Sequence, residues 1–168
     1  GYNFKKIIFC EGFQLINNPY FNYLPITPAK GEVLTIKIPS LESIDRIISK
    51  GIWVMPLKAH LYLVGATFNR TELDDVVTDE GISFLKQRLE EVLDVEYEII
   101  TASAGVRPTT KDRKPLIGVH PKHNMLAVFN GLGTRGVIQG PYLTANFSKF
   151  LTKGEKILQN TDIQRVRC

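Results

Sequence analysis

Between Ala104 and Pro141 the chain carries two features that any fold must accommodate together. One is a glycine-rich turn, Gly131-Leu132-Gly133-Thr134-Arg135-Gly136, set between an apolar run at Met125 to Phe129 and a segment with helical spacing. A strand that runs through such a turn straight into a helix leaves the first helical N–H groups without intrahelical partners. Glycines let that backbone approach a flat ligand closely, and the helix start carries partial positive charge that favours an anion. The other feature is Arg107, held in Ala104-Gly105-Val106-Arg107-Pro108. A following proline biases the arginine toward extended backbone, from which a guanidinium can grip a carboxylate through two parallel hydrogen bonds. Together they read as half of a binding site: a guanidinium for an anionic group, and a bare helix start for a ring or an oxyanion.

Gly131, Gly133 and Gly136 have the spacing GxGxxG. A dinucleotide-binding unit needs that motif inside a βαβ unit, with an acidic residue about 20 positions on at the end of the next strand. Here one helix follows, and Glu155 lies in the polar stretch Lys153-Gly154-Glu155-Lys156. The complete unit is absent, so the turn is either a local ligand contact or a plain strand-to-helix connection. Arg107 has a surface salt bridge as its alternative. Trp53, the single tryptophan, sits in Ile52-Trp53-Val54-Met55-Pro56, where core packing is the default and a pocket wall the alternative. Lys111, Arg113, Lys114 and Lys122 read as a solvated basic loop, with RNA contact as the second reading. Asp74-Asp75 and Glu90-Glu91 are neighbours in sequence, and such neighbours do not face each other as an acid/base couple would.

The 168 residues suit one domain with one good core. A net charge of +4 permits an anionic substrate or an RNA surface and demands neither. No apolar run reaches the roughly 20 residues of a bilayer span, and the start at Gly1 is neither a signal peptide nor an initiator methionine, so a cytoplasmic location is expected. Cys10 and Cys168 make no disulfide framework, and Cys10, inside an apolar run, is expected to be buried and inert. His60, His120 and His123 match no zinc spacing, so no metal site is expected.

Phe4 to Cys10 reads as a buried strand, residues 13–31 as an irregular connection, and Glu32 to Ile38 as a half-buried strand. Residues 41–50 are ambiguous, with Ile44, Ile47 and Ile48 at helical spacing. Ile52 to Leu57 and Leu61 to Thr67 form a hairpin around Lys58-Ala59-His60. A helix capped by Thr78 buries Ile82, Leu85, Leu89, Val92 and Leu93. Tyr97 to Ala102 and Met125 to Phe129 are strands. A second helix runs from Gly136 to about Thr152, weakened by Gly140-Pro141 and ended by Lys153-Gly154, and the tail is loose. The fold class is α+β, a mostly antiparallel mixed sheet with helices on one face.

The run from Ala104 to Gly118 resembles the carboxy-terminal part of the FAD-dependent D-amino-acid oxidase superfamily, especially glycine and sarcosine oxidases. Pro28 to Leu34, Tyr62 to Thr67, and Gly131 to Gly136 with Pro141 are similar to that family in the same order. The resemblance implies FAD as cofactor in the intact protein, weakly held or absent in this chain, because no counterpart of the family's amino-terminal pyrophosphate motif is present. It implies that residues 1–20 are a remnant strand of the FAD-binding domain. Residues 21–130 would then be the substrate-binding domain and 131–168 the flavin-contacting loop, helix and tail, with the missing amino-terminal FAD domain as partner. It assigns Arg107 to the substrate carboxylate and Gly131, Leu132, Gly133, Thr134, Arg135 and Gly136 to the flavin. Trp53 stands where glycine oxidases have a pocket tyrosine and Thr134 where they have a second pocket arginine, so both join the substrate-binding set. The implied reaction is oxidation of a C–N bond in a small amino acid or secondary amine by hydride transfer to flavin, with no dedicated catalytic base. The Gly-Leu-Gly-Thr-Arg-Gly form also resembles the oxidase acting on carboxymethylaminomethyl-uridine in tRNA. A non-catalytic binding module is the reading from another class.

Overall fold

The structure, a computed structural model, describes residues 3–41 and 45–166, so the expectations placed on Ile44 and Cys168 fall outside the described residues. In chain order the strands are β1 Ile7–Phe9, β2 Ala29–Lys37, β3 Ile48–Lys50, β4 Ile52–Pro56, β5 Leu61–Gly65, β6 Glu98–Arg107, β7 Leu116–Val119 and β8 Leu126–Asn130. The helices are α1, Asp79–Glu90, and α2, Gly136–Lys153. They fall into two compact units, Gly1–Pro28 with Arg107–Cys168, and Ala29–Val106. The α+β class holds in each.

The second unit, Ala29–Val106, is built on a five-stranded sheet in the order β3-β4-β5-β2-β6. The β4–β5 hairpin pairs Trp53 with Gly65 and Pro56 with Tyr62. Its turn places Ala59 and His60 both at φ 59°, the mirror-image geometry that matches strand twist, although neither residue is glycine. Leu34, Ile36, Val54, Tyr62 and Val64 of the sheet pack against Leu85 and Leu89 of α1. That helix begins where the sequence places it: the Thr78 hydroxyl accepts the Gly81 N–H at 3.0 Å, and Asp79 and Glu80 occupy the first turn. Two charged residues of β2 are buried. Glu32, 5% exposed, accepts the Thr78 N–H at 2.6 Å and its hydroxyl at 3.0 Å, and the Thr67 hydroxyl at 3.1 Å. Lys30, 1% exposed, donates from Nζ to Asp74 at 2.6 Å. The alternation expected over Glu32 to Ile38 is present, and the correction is to the strand's start: β2 begins at Ala29, inside the stretch expected to be irregular, with Ala29 to Glu32 buried.

The first unit, Gly1–Pro28 with Arg107–Cys168, carries a three-stranded sheet in the order β1-β8-β7, with β1 parallel to β8 and β7 antiparallel to it. Both faces of β7 and β8 are covered. Leu116 and Val128 join a cluster with Leu15, Phe21, Leu24 and Ile163, while their neighbours Ile117 and Ala127 join Leu143 and Phe147 of α2. A strand covered on both sides reads as a continuous apolar run, as β8 does. Strand β7 escapes sequence reading, because four residues ending in Gly118-Val119 carry too little pattern. α2 tolerates Pro141 and ends at Gly154, which sits at φ 70° with its N–H donated to the Phe150 carbonyl at 3.1 Å. No helix of the described residues is long and apolar enough to cross a membrane.

Three expectations fail here, the first being the loose tail: Ile163 is 2% exposed in the cluster with Leu15 and Phe21, and the Thr161 carbonyl accepts the Ile117 N–H at 2.9 Å. β1 is present, but Phe4, Ile7 and Ile8 are 65%, 45% and 42% exposed. Cys10 is exposed rather than buried. Its thiol is still desolvated, and with the Glu11 charge this pushes its pKa up, away from the reactive thiolate.

Candidate functional site

Arg107 is the last residue of β6, which runs on past the expected end at Ala102. The strand delivers the arginine, and the next three residues fasten it. The Thr109 N–H returns to the Arg107 carbonyl at 2.9 Å, and the Thr109 carbonyl accepts the Thr27 N–H at 2.7 Å. The Thr109 hydroxyl donates to the Thr27 carbonyl. Thr110, 2% exposed, donates to the Lys114 carbonyl at 2.9 Å. Arg107 itself is half-buried. Burial lowers its pKa, yet an arginine remains charged in any protein environment.

The glycine turn packs on this segment. Gly131 lies at φ 72°, and a Cβ there would stand 2.8 Å from Thr110 Cγ2 and 3.1 Å from the Leu116 nitrogen. Gly133 lies at φ 53°, with Thr109 Cγ2 at 3.4 Å from the same imagined atom. Both glycines are therefore required by their backbone conformation, and Gly131 by close approach as well. The buried Asn130 braces the turn: its amide donates to the Gly12 carbonyl at 2.9 Å, and its carbonyl oxygen accepts the Gly131 N–H at 2.8 Å. Gly133–Arg135 form one turn of 3-10 helix that leads directly into α2. α2 starts without a side-chain cap and without an acidic residue in its first turn. Thr134 and Arg135 are exposed, as are Val137 and Ile138 at 93% and 85%.

The structure thus brings the Arg107–Thr110 segment and the Gly131–Gly136 turn into contact within one unit, through Thr109 and Thr110. The sequence singled out the two ends of this contact but not the threonines that join them. Their signal was local: two β-branched hydroxyl residues directly after Arg-Pro. Trp53 belongs to the other unit. Its ring lies across Gly65, where a Cβ would come within 2.5 Å of the indole, so the glycine is needed to seat the tryptophan. Asp74 and Asp75 form no couple: Asp74 pairs with Lys30, which pulls its pKa down.

A flat anionic ring fits the residues present. The uncapped, acid-free helix start favours negative charge beside the turn. The fit covers the ring end of a dinucleotide cofactor only. It would be made by backbone of Gly131, Leu132, Gly133, Thr134, Arg135 and Gly136.

Comparison with known proteins shows the family. Residues 1–146 match the family described as FAD dependent oxidoreductase. A glycine oxidase of Pseudomonas putida is 28% identical over 137 residues, covering 80% of this chain and 38% of the relative. The bifunctional tRNA 5-methylaminomethyl-2-thiouridine biosynthesis protein of Idiomarina loihiensis is 28% identical over 127 residues, 73% of this chain and 21% of the relative. The crystal structure of a glycine oxidase from Geobacillus kaustophilus superposes with a TM-score of 0.82 at 21% identity, over 97% of this chain and 46% of that one. The chain spans less than half the length of each of these proteins. With the match covering most of its residues, the chain belongs to the family of FAD-dependent oxidoreductases that contains the glycine oxidases.

Proposed function

We propose that this chain is the substrate-binding part of an FAD-dependent enzyme that oxidises the C–N bond of a small amino acid or secondary amine. The observation that carries the reading is the contact between the Arg107–Thr110 segment and the Gly131–Gly136 turn. It brings the segment that carries Arg107 against a backbone suited to a flat ring. Arg107 holds the substrate carboxylate and so positions the amine, and positioning supplies much of the rate. The uncapped start of α2 favours negative charge as it builds beside the Gly131–Gly136 turn. Bound flavin supplies the hydride acceptor. Thr134 and Trp53 are assigned to the substrate pocket on the resemblance.

Residues 1–20 are assigned to the FAD-binding domain, 21–130 to the substrate-binding domain and 131–168 to the flavin-contacting loop, helix and tail. The amino-terminal FAD domain is the proposed partner. In its favour, β1 lies at a sheet edge, and Phe4, Ile7, Ile8, Val137 and Ile138 leave apolar surface exposed in the same unit. On its own, this chain is expected to bind FAD weakly and to turn nothing over. A yellow chain that keeps its flavin through gel filtration would contradict this. A cytoplasmic location is part of the same proposal.

The test uses the full-length protein with paired substrates. Arg107→Ala is expected to raise KM for glycine or sarcosine by about 100-fold, the loss of a charged bidentate contact worth roughly 2–3 kcal/mol. It should leave the weak oxidation of methylamine, which lacks the carboxylate, unchanged. Equal losses on both substrates would remove the carboxylate role. A second reading, oxidation of carboxymethylaminomethyl-uridine in tRNA, draws support from the biosynthesis relative. It predicts turnover of modified tRNA and none of free glycine.

A further inference from the structure

Charge is divided unevenly between the two units. The first holds 13 lysines and arginines against 4 aspartates and glutamates, a formal +9; the second holds 8 against 13, a formal −5. The modest +4 of the whole chain conceals this segregation. A concentrated positive field of this kind is the electrostatic footprint of a polyanion-binding surface.

The field has a place to act. An open groove of about 500 Å³ in the first unit is lined by Arg113 and Lys114, by Arg135, Gln139 and Tyr142 around the start of α2, and by Asn160. A second hollow of about 450 Å³ shares Lys114, Leu158 and Asn160 with it, so the two adjoin. Among the described residues, no carboxylate lies within ion-pair distance of Arg113, Lys114 or Arg135. The groove's own carboxylate, Asp112, is already engaged by Arg165 at 3.3 Å. The basic loop is held in shape: the Arg113 N–H donates to the Thr110 carbonyl at 3.1 Å, and Asp112 accepts the Lys114 N–H at 3.1 Å. Its cations thus stand over the groove on a fixed backbone.

The kind of polyanion follows from what lies between the cations. They come from two separate segments, Arg113 and Lys114 on the loop and Arg135 just before α2, around an open groove, which suits a repeated phosphate better than a single one. Tyr142, 66% exposed, presents a ring on which a base can stack, and the Gln139 and Asn160 amides can meet base edges. An acidic protein surface would use neither the ring nor the amides in this way. We propose that this groove binds single-stranded RNA along its phosphate backbone, with Tyr142 as a stacking platform. The proposal goes beyond the amine reading and does not rest on it, because binding is measured without turnover.

The experiment is fluorescence anisotropy of a labelled mixed-sequence RNA of about 20 nucleotides, long enough for several contacts, on the full-length protein. Contacts from three cations predict a slope of about −2 in log affinity against log salt, a fall of about 20-fold between about 50 and 200 mM. The pair Arg113→Glu and Lys114→Glu should lower affinity at least about tenfold and flatten the slope. The pair Lys149→Glu and Lys153→Glu, equally basic and exposed in the same unit, should change it by less than about twofold. If the first pair fails to fold, Arg113→Gln with Lys114→Gln carries the same expectation at about threefold. Absence of RNA binding at low salt, or equal losses from both pairs, overturns the proposal. So does full displacement by pyrophosphate at matched phosphate concentration, which would mark a small-anion site, or by polyglutamate, which would mark an acidic protein partner.

Discussion

The two α-helices of this chain begin in opposite ways. α1 starts on a closed set of partners: Thr78 accepts from Gly81, and the buried Glu32 carboxylate accepts from both the amide and the hydroxyl of Thr78. Acidic residues fill its first turn. α2 starts with no side-chain cap and no acid, after a turn in which Gly131 and Gly133 take positive φ. Both helices obey the same electrostatics, since each N-terminus needs negative charge and acceptors. At α1 the protein supplies them from its own core. At α2 neither a side-chain cap nor an acidic residue supplies them. The contrast separates a helix start that serves the fold from one fit to serve a ligand.

The sharpest way to break the contrast is at Gly81. A Cβ there would sit 1.8 Å from Glu32 Oε2 and 2.4 Å from the carboxyl carbon. Glu32 is pinned by three hydrogen bonds and cannot swing aside. Gly81→Ala is therefore expected to destabilise by about 3 kcal/mol, overpacking and broken hydrogen bonds outweighing the roughly 1 kcal/mol alanine gains in a helix. Urea unfolding measures it, and a neutral or stabilised variant would refute the pinned carboxylate. Thr78→Ala removes the cap together with one of the three hydrogen bonds that hold Glu32, and should cost about 2 kcal/mol by the same measurement.

Features of this kind were readable because they are local. Thr78 as a cap, Gly154 as a stop and the apolar stripe through Leu85 and Leu89 each declare themselves within a few residues. The β4–β5 hairpin was equally legible, despite a turn built from Ala59 and His60. What stayed hidden depends on residues distant in sequence. Lys30 is buried because Asp74 comes to meet it, and nothing near Lys30 announces that. β7 is a strand because clusters on both faces cover Leu116 and Ile117. The exposure of β1 and Cys10 went unforeseen for the converse reason, since an apolar run shows what wants cover and not whether cover is present. At the candidate site, Arg107 and the glycine turn stood out singly. Their meeting through Thr109 and Thr110 required the fold.

The units should also differ in their response to acid. In the first unit, His120 is 9% exposed and its Nδ1 accepts the N–H groups of Lys122 at 3.0 Å and His123 at 3.1 Å. Burial first, then the charges of His123 and Lys122, lower its pKa, although the backbone at Tyr20 opposes this. The folded state thus holds the neutral ring. Its contribution is complete above the ordinary histidine value of about 6.5 and is lost as pH falls below that. In the second unit, the hydrogen bond from Lys30 lowers the Asp74 pKa. That contribution persists until pH falls below the ordinary aspartate value of about 3.9. Hydrogen exchange between about pH 7 and 5 should therefore show protection falling around the β7–β8 turn while α1 keeps its own. His120→Gln should abolish the difference; an unchanged pH profile in that variant would assign the effect elsewhere.

The smallest effect is the most discriminating. Thr134 is exposed at the turn that leads into α2. Thr134→Asp places a carboxylate where the helix start has none, and on stability alone this should be favourable by about 0.5 kcal/mol. If the site is reserved for an anionic ring, the same charge repels what should bind there. The full-length variant should then melt slightly higher without flavin, yet hold flavin several-fold more weakly. A helix start with no ligand role would show only the first change. The opposite signs of the two readouts separate a vacancy in the capping from a site kept clear for a cofactor, which a loss in both could not do.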